Sequence, residues 1–419
     1  MADTTSGTAV LDSDELDRNI FDDGVFDGFE PHRRGDPYPR YRALQDATPL
    51  YKLPEGVYLA TRYHDCVSVL TEAKWGRADV NGVNPFAPEY KIENLPFLWH
   101  DPPDHTRLRR LVSKAFTPRA VAGWRPLVER TVTRLLDDAL AAGEVDLVEA
   151  FAYPLPLIVI SELLGVPEAD RAQVGRWSSI LGRGVDPGLL LPPDDIAARA
   201  QAMRDGVAYF RELIARRRVE PTDDIVSELV AVEEQGDVLS ELELLNTCVM
   251  LLNAGFETTV SVLANGTLAL MRNPAQLRLW RANPDIATAA VEELLRYEPP
   301  LQITTRVAHE EMELAGRTFA AGESLVLLIA SANRDPDVFA DPDRLDITRY
   351  GRQAAAPSVL SFGKGIHFCL GAALARLELE IGFDQLIRRS PGLAQVGDEL
   401  SWLDNISLRR MRALPVRLR

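Results

Sequence analysis

The chain has 419 residues, of which 46% are hydrophobic and 26% charged, and its formal net charge is −16. That composition excludes a disordered chain, a collagen and a disulfide scaffold, and the length suffices to bury a large core without staples. The acidic balance argues against non-specific nucleic-acid binding or a membrane-surface role for the chain as a whole.

Residues 1 to about 20 carry Asp3, Asp12, Asp14, Glu15 and Asp17 and read as a disordered acidic lead. The lead has neither the basic nor the apolar region of a signal peptide. Stretches 50–52 and 57–60 flank Pro54-Glu55-Gly56 and read as a β-hairpin. From about 62 to 300 the pattern is mostly helical. Two stretches rich in Pro and Gly interrupt it, 76–103 and 181–195, and read as irregular loops that serve function. Short strands are predicted at 311–314 and 324–329, an Asp/Pro-rich meander at 333–349, a helix after Cys369, and one more hairpin in the last twenty residues. No apolar run approaches 18 residues, so no membrane span is expected. The fold class is mainly α with a small β portion, in a single domain over residues 21–419.

Cys66, Cys248 and Cys369 are too sparse for a disulfide framework and lack CxxC spacing for structural zinc. They fit a reducing compartment, and a cytoplasmic protein is expected.

Four segments carry chemistry. In Ser361-Phe362-Gly363-Lys364-Gly365-Ile366-His367-Phe368-Cys369-Leu370-Gly371, the glycines permit an unusual backbone path before a strongly helical run. Cys369 then sits at a helix start, where N–H groups stabilise a thiolate. The spacing alone allows a metal ligand, a nucleophile or a buried cysteine in a Gly-rich turn. In the second segment, Ser240 and Glu243 form a capping box for a helix that Asn273-Pro274 ends. Its apolar middle contains Gly255, Glu257, Thr258 and Thr259, and a glycine beside a buried carboxylate in a core helix suggests a functional site. The third is Glu293 with Arg296, i,i+3 on one helix face; Glu292 with Arg296 would serve a plain surface pair equally well. The fourth is Asp101 to Arg110, where His105 and Arg109 share a helix face suited to an anion.

Phe-Gly-x-Gly-x-His-x-Cys-x-Gly resembles the haem-binding loop of the cytochrome P450 family in its soluble bacterial form. Ala254-Gly255-x-Glu257-Thr258-Thr259 resembles that family's oxygen-activation motif. The resemblance runs from about residue 36 to 415, with the motifs in the family's order. It implies the single-domain P450 fold and haem b, with Cys369 as the axial thiolate. It implies that Phe362, Gly363 and Gly371 shape the haem loop, and that Ala254 and Gly255 face the haem. His105, Arg109, Arg306 and His367 would hold its propionates. Thr258 and Glu257 would be the alcohol–acid pair that delivers protons during oxygen activation. Glu293 and Arg296 would form a structural triad with Arg344 of the meander. Many relatives have an aliphatic residue where Asn253 stands, which would put a polar group near the substrate space.

The implied function is a monooxygenase inserting one oxygen atom from dioxygen into a small apolar or amphipathic molecule. A tailoring step on a polyketide, macrolide or terpene is the expected setting. No GxGxxG follows a strand and no cysteine cluster is present, so electrons are expected from a ferredoxin and its NAD(P)H-dependent reductase. No nucleic-acid or membrane partner is expected. The alternatives are a peroxygenase using hydrogen peroxide and a non-enzymatic haem-based ligand-binding or sensor protein.

Overall fold

The computed structural model describes residues 35–53, 56–79, 81–83, 95–182, 186, 191–234, 239–352 and 356–419. The acidic lead, the turn residues Pro54 and Glu55, and parts of the two Pro- and Gly-rich loops, at 80, 84–94, 183–185 and 187–190, lie outside the described residues.

Seven helices position the site: α1 (Asp104–Val112), α2 (Pro118–Ala142), α3 (Pro154–Leu163), α4 (Arg171–Gly182), α5 (Glu241–Arg272), α6 (Ala287–Tyr297) and α7 (Ala372–Arg389). The spine is α5. Ser240 Oγ accepts from the Glu243 N–H at 3.3 Å, and Glu243 Oε2 accepts from the Ser240 N–H at 2.7 Å. Asn273-Pro274 stops the helix after 32 residues, about 48 Å of rise. Helices α3, α4 and α7 pack around it. At Gly266 an added Cβ would lie 2.7 Å from the Phe383 ring of α7, so only glycine admits that crossing. By length and composition α5 could cross a bilayer, contrary to the expectation from apolar runs. Its most apolar window is 72% buried inside the protein, as a core helix is.

A five-stranded sheet lies beside the helices: β1 (Leu50–Lys52), β2 (Tyr58–Ala60), β3 (Trp75–Gly76), β4 (Thr304–Ala308) and β5 (Ser324–Leu327), in the order β1-β2-β5-β4-β3. β1 and β2 form the expected antiparallel hairpin. Met312–Leu314 pairs with Arg317–Phe319 across a turn at Ala315 and Gly316, where φ is 48° and 80°. The second of those strands is too short and mixed to stand out in the sequence. Ile329 opens a short helix instead of ending a strand. Near the C-terminus Ser401–Trp402 pairs with Met411–Ala413. The final strand, Pro415–Arg417, leaves that hairpin to pair with Glu144–Asp146 and Ala394–Gln395.

Glu293 and Arg296 on α6 form a fully buried bidentate pair at 2.8 and 2.9 Å. Their third member is Arg349, whose Nε donates to Glu293 Oε2 at 3.0 Å, and not Arg344. The Arg344 side chain is 62% exposed and faces Asp341 and Asp346; only its carbonyl joins the cluster, accepting from Arg296. Glu292 pairs with Arg376 of α7. Arg296 also donates to the Asn333 carbonyl at 3.1 Å. Asn333 in turn holds the Leu360 N–H at 2.8 Å and Ser361 Oγ at 2.9 Å. The ion-pair cluster thereby anchors the start of the cysteine loop.

Candidate active site

A cavity with mainly apolar walls lies between α5 and the cysteine loop. Gly363 and Gly365 have φ of 67° and 68°, a left-handed conformation that favours glycine. A Cβ at Gly365 would meet the Leu70 carbonyl at 2.3 Å, so the loop is seated against the helix Tyr63–Thr71. The turn closes with the Cys369 N–H donating to the Phe362 carbonyl at 2.8 Å. Helix α7 begins at Ala372 with Gly371 as its N-cap, so Cys369 precedes the helix instead of opening it. Cys369 faces the cavity, whereas Cys66 and Cys248 are fully buried. Burial raises the Cys369 thiol pKa above its ordinary value, opposed by the Gly371 N–H and by the Arg109 and Arg376 charges. A Cβ on Gly371 would touch nothing within 4 Å, so protein atoms leave open space beside the cysteine.

The opposite wall is α5, with Ala254, Gly255 and Thr258 on the cavity. A Cβ at Gly255 would come within 2.9 Å of Ile160, so its close approach is to α3. Thr258 Oγ1 donates back to the Ala254 carbonyl at 3.3 Å. Thr259 borders the cavity as well. Glu257 is buried and its carboxylate points away, accepting from Ser179 Oγ of α4 at 2.7 Å and from Arg410. Asn253 also turns from the cavity: its Oδ1 accepts from Ser178 Oγ at 3.4 Å. The polar group expected in the substrate space is thus spent on helix packing.

At one edge of the cavity the fold gathers buried and half-buried basic groups. Arg306 on β4 donates to the Thr305 carbonyl at 2.7 Å, and burial lowers its pKa well below the usual arginine range. Arg109 of α1 donates to the Phe368 carbonyl. The His105 and His367 rings meet at a 52° tilt with centroids 4.2 Å apart. Burial pushes their pKa values down to about 4 and about 3. Neither ring has a hydrogen-bond partner on either nitrogen. Asp101 lies 3.9 Å from His367 Nε2, beyond hydrogen-bond reach, and accepts from the Arg77 N–H at 2.9 Å.

Two residues on the cavity wall were missed by the sequence reading. Arg77 donates to Thr304 Oγ1 at 3.2 Å, its Nε lacks a partner, and burial lowers its pKa to about 10. It lies in the Gly/Pro-rich loop with no motif around it. Glu378 on α7 is buried with Oε2 unpartnered, and burial raises its pKa well above the carboxylate range. The signal was there: Leu374, Ala375, Ile381 and Gly382, three and four residues away, mark the face it shares as apolar.

Buried donors without acceptors imply an anion. Arg77, Arg109, Arg306, His105 and His367 fit the two carboxylates of a haem at one edge, and Cys369 fits its iron at the centre. The donor set therefore matches the expected cofactor.

Comparison with known proteins agrees. The family model "Cytochrome P450" matches residues 281–390. The chain is 41% identical over 394 residues to the cytochrome P450 monooxygenase PikC of Streptomyces venezuelae, covering 92% of this chain and 91% of the relative. It is 40% identical over 396 residues to 6-deoxyerythronolide B hydroxylase of Saccharopolyspora erythraea, covering 91% and 95%. The structure is similar to the Bacillus subtilis polyketide-synthase P450 PksS, with a TM-score of 0.83, 37% identity, and 92% and 98% coverage. It is similar to P450BioI, solved with an acyl carrier protein bearing a hexadecenoic acid, with a TM-score of 0.84, 36% identity, and 92% and 99% coverage. On this identity across nearly the whole chain, with cysteine loop and α5 on facing walls of one cavity, the chain belongs to the cytochrome P450 family of monooxygenases.

Proposed function

We propose that the protein hydroxylates or epoxidises a small apolar or amphipathic molecule, in a tailoring step on a polyketide, macrolide or terpene. The observation that carries this is the cavity itself. Its walls are mainly apolar, Cys369 and Thr258 line it, and unpartnered basic groups stand at its edge. Relatives named as a 6-deoxyerythronolide B hydroxylase and a mycinamicin IV hydroxylase/epoxidase support the substrate class.

Haem b, when bound, supplies the oxygen-activating iron. In this reading Cys369 Sγ would ligate that iron. Arg77, Arg109, Arg306, His105 and His367 would hold the propionates, and Phe362, Gly363, Gly371, Ala254 and Gly255 would shape the slot. Apolar wall residues orient the substrate and exclude water. Thr258 presents a hydroxyl to the cavity, and Glu257 is the acid that resupplies its proton. Electrons come from a ferredoxin and an NAD(P)H-dependent reductase.

The decisive experiment is the absorption spectrum of reduced protein under carbon monoxide. Wild type gives the red-shifted Soret band of a thiolate-ligated haem. Cys369→Ser abolishes the band and the activity, while Cys66→Ser and Cys248→Ser retain both. A band that survives Cys369→Ser overturns the ligand. Proton delivery is read separately, as product formed per NAD(P)H consumed. Thr258→Ala keeps haem and NAD(P)H consumption but releases hydrogen peroxide in place of product, because a positioned proton donor is worth roughly 100- to 10,000-fold.

A further inference from the structure

A second cavity, of about 420 Å³, shares no lining residue with the one between α5 and the cysteine loop. That volume lies within the range of small-molecule sites. Its lining joins apolar Met271, Leu277 and Leu393 to three arginines, Arg272, Arg278 and Arg281. Arg272 is the last residue of α5. Arg278 and Arg281 lie on the helix Pro274–Ala282, three residues apart and so on one face. The chain as a whole carries a charge of −16, yet no carboxylate lines this cavity. None of the three arginines forms an ion pair among the described residues. Cations that share one cavity repel each other, and an anion between them relieves that repulsion. Arg281 is fixed in place: Nε donates to the Ile387 carbonyl at 3.1 Å and Nη2 to the Ser390 carbonyl at 2.7 Å, at the end of α7. Burial lowers its pKa, with no carboxylate to offset that cost. Arg272 and Arg278 are exposed, so their guanidinium groups are free to close on a ligand from solvent.

We propose that this cavity binds a small organic phosphate, its anionic group among Arg272, Arg278 and Arg281 and its apolar part against Met271, Leu277 and Leu393. A single carboxylate would neutralise one of three cations. A phosphate ester or pyrophosphate carries more charge and more acceptor oxygens, and it matches the planar guanidinium forks. Because Arg272 ends α5 and Arg281 grips the end of α7, the ligand would join the far ends of two helices that line the active-site cavity. The site belongs to none of the four motif segments and does not depend on the oxygen-activation reading.

The test is a calorimetric titration of haem-loaded protein with pyrophosphate, in a phosphate-free buffer of constant ionic strength. Wild type is expected to bind one pyrophosphate per chain saturably, and to bind acetate about tenfold more weakly or less. Arg272→Gln with Arg278→Gln, both at exposed positions, should weaken pyrophosphate about tenfold while the haem content stays unchanged. Arg344→Gln, equally exposed but flanked by Asp341 and Asp346, should stay within about twofold of wild type. Thermal unfolding gives a second readout, because a ligand bound only by the folded state raises the melting temperature. Pyrophosphate should raise it in wild type and not in the double variant. Arg281→Gln is expected to lose binding as well, but it also frees the end of α7, so the double variant carries the decision. Three results overturn the site: no saturable binding to wild type, pyrophosphate affinity undiminished in the double variant, or acetate bound as tightly as pyrophosphate. A double variant that needs several-fold more ferredoxin for half-maximal turnover would overturn it in another way, by making these arginines a docking face for an acidic protein.

Discussion

Arg77, Arg109 and Arg306 share one physical problem: each is a buried or half-buried cation with few acceptors in reach. Removing one partner from a buried charge pair costs about 3–5 kcal/mol. Substituting any of the three by Ala is therefore expected to lower the haem retained per protein, measured by Soret absorbance against protein concentration. Arg107→Ala is the control, because its side chain is 40% exposed and pairs with Glu243. Equal haem content in all four variants would count against the propionate placement. His105 offers a second reading of the same site in protein stripped of haem. Its folded pKa, about 4, lies below the ordinary value of 6.5 because burial disfavours the imidazolium. Below pH 6.5 the unfolded chain takes up a proton that folded His105 refuses, so stability falls with pH until about pH 4. The loss is roughly 1.4 kcal/mol per pH unit in that window. His105→Phe should flatten the fall in melting temperature between pH 7 and pH 5. An unchanged slope would remove burial as the cause.

Helix α6 acts on the site from behind, through Arg296, Asn333 and Ser361. The triad assignment makes a sharp prediction at this scale. Arg349→Ala leaves the fully buried Glu293 with one guanidinium fewer, and should lower the denaturation midpoint and release haem. Arg344→Ala should change stability by less than about 0.5 kcal/mol, as exposed positions do. The reverse pattern in urea melts would restore the sequence-based assignment. That error shows where reading stops. Both arginines lie in the meander, in Pro342-Asp343-Arg344 and Asp346-Ile347-Thr348-Arg349, and no local pattern says which one turns inward. Features set by short-range physics were legible: the Ser240–Glu243 box, the stop at Asn273-Pro274, the first hairpin, and the positive-φ glycines before Cys369. Features set by long-range packing were not. Arg77 reaches the site only because β3 pairs with β4, and Glu257 meets Arg410 only because the C-terminal segment folds back onto α5.

At the scale of the whole molecule, the charge of −16 poses a question about the electron donor. On the proposed reading the donor is a ferredoxin; bacterial ferredoxins are typically acidic, so docking of two acidic proteins would need a local basic patch. On that reading the donor would approach from the side of Cys369, and the cysteine loop comes to the surface at Ile366, which is 42% exposed. Arg110 and Lys114 follow α1 outward from Arg109, which holds the Phe368 carbonyl, and both are exposed. Lys364 lies in the loop itself, with Nζ donating to Ser358 Oγ at 3.0 Å. An apolar spot rimmed by cations is suited to a transient acidic partner. Rim charges act mainly on association rate and are screened beyond about 10 Å at 0.1 M salt. Arg110→Glu should therefore raise the ferredoxin concentration needed for half-maximal turnover several-fold at low salt, with the maximal rate little changed. The difference from wild type should shrink as ionic strength rises, because salt screens the attraction in wild type and the repulsion in the variant. Haem content and the carbon monoxide spectrum should stay as in wild type, which separates a docking defect from damage to the nearby Arg109 contact. A half-saturating ferredoxin concentration that neither the charge reversal nor salt can move would place the docking face elsewhere on the molecule.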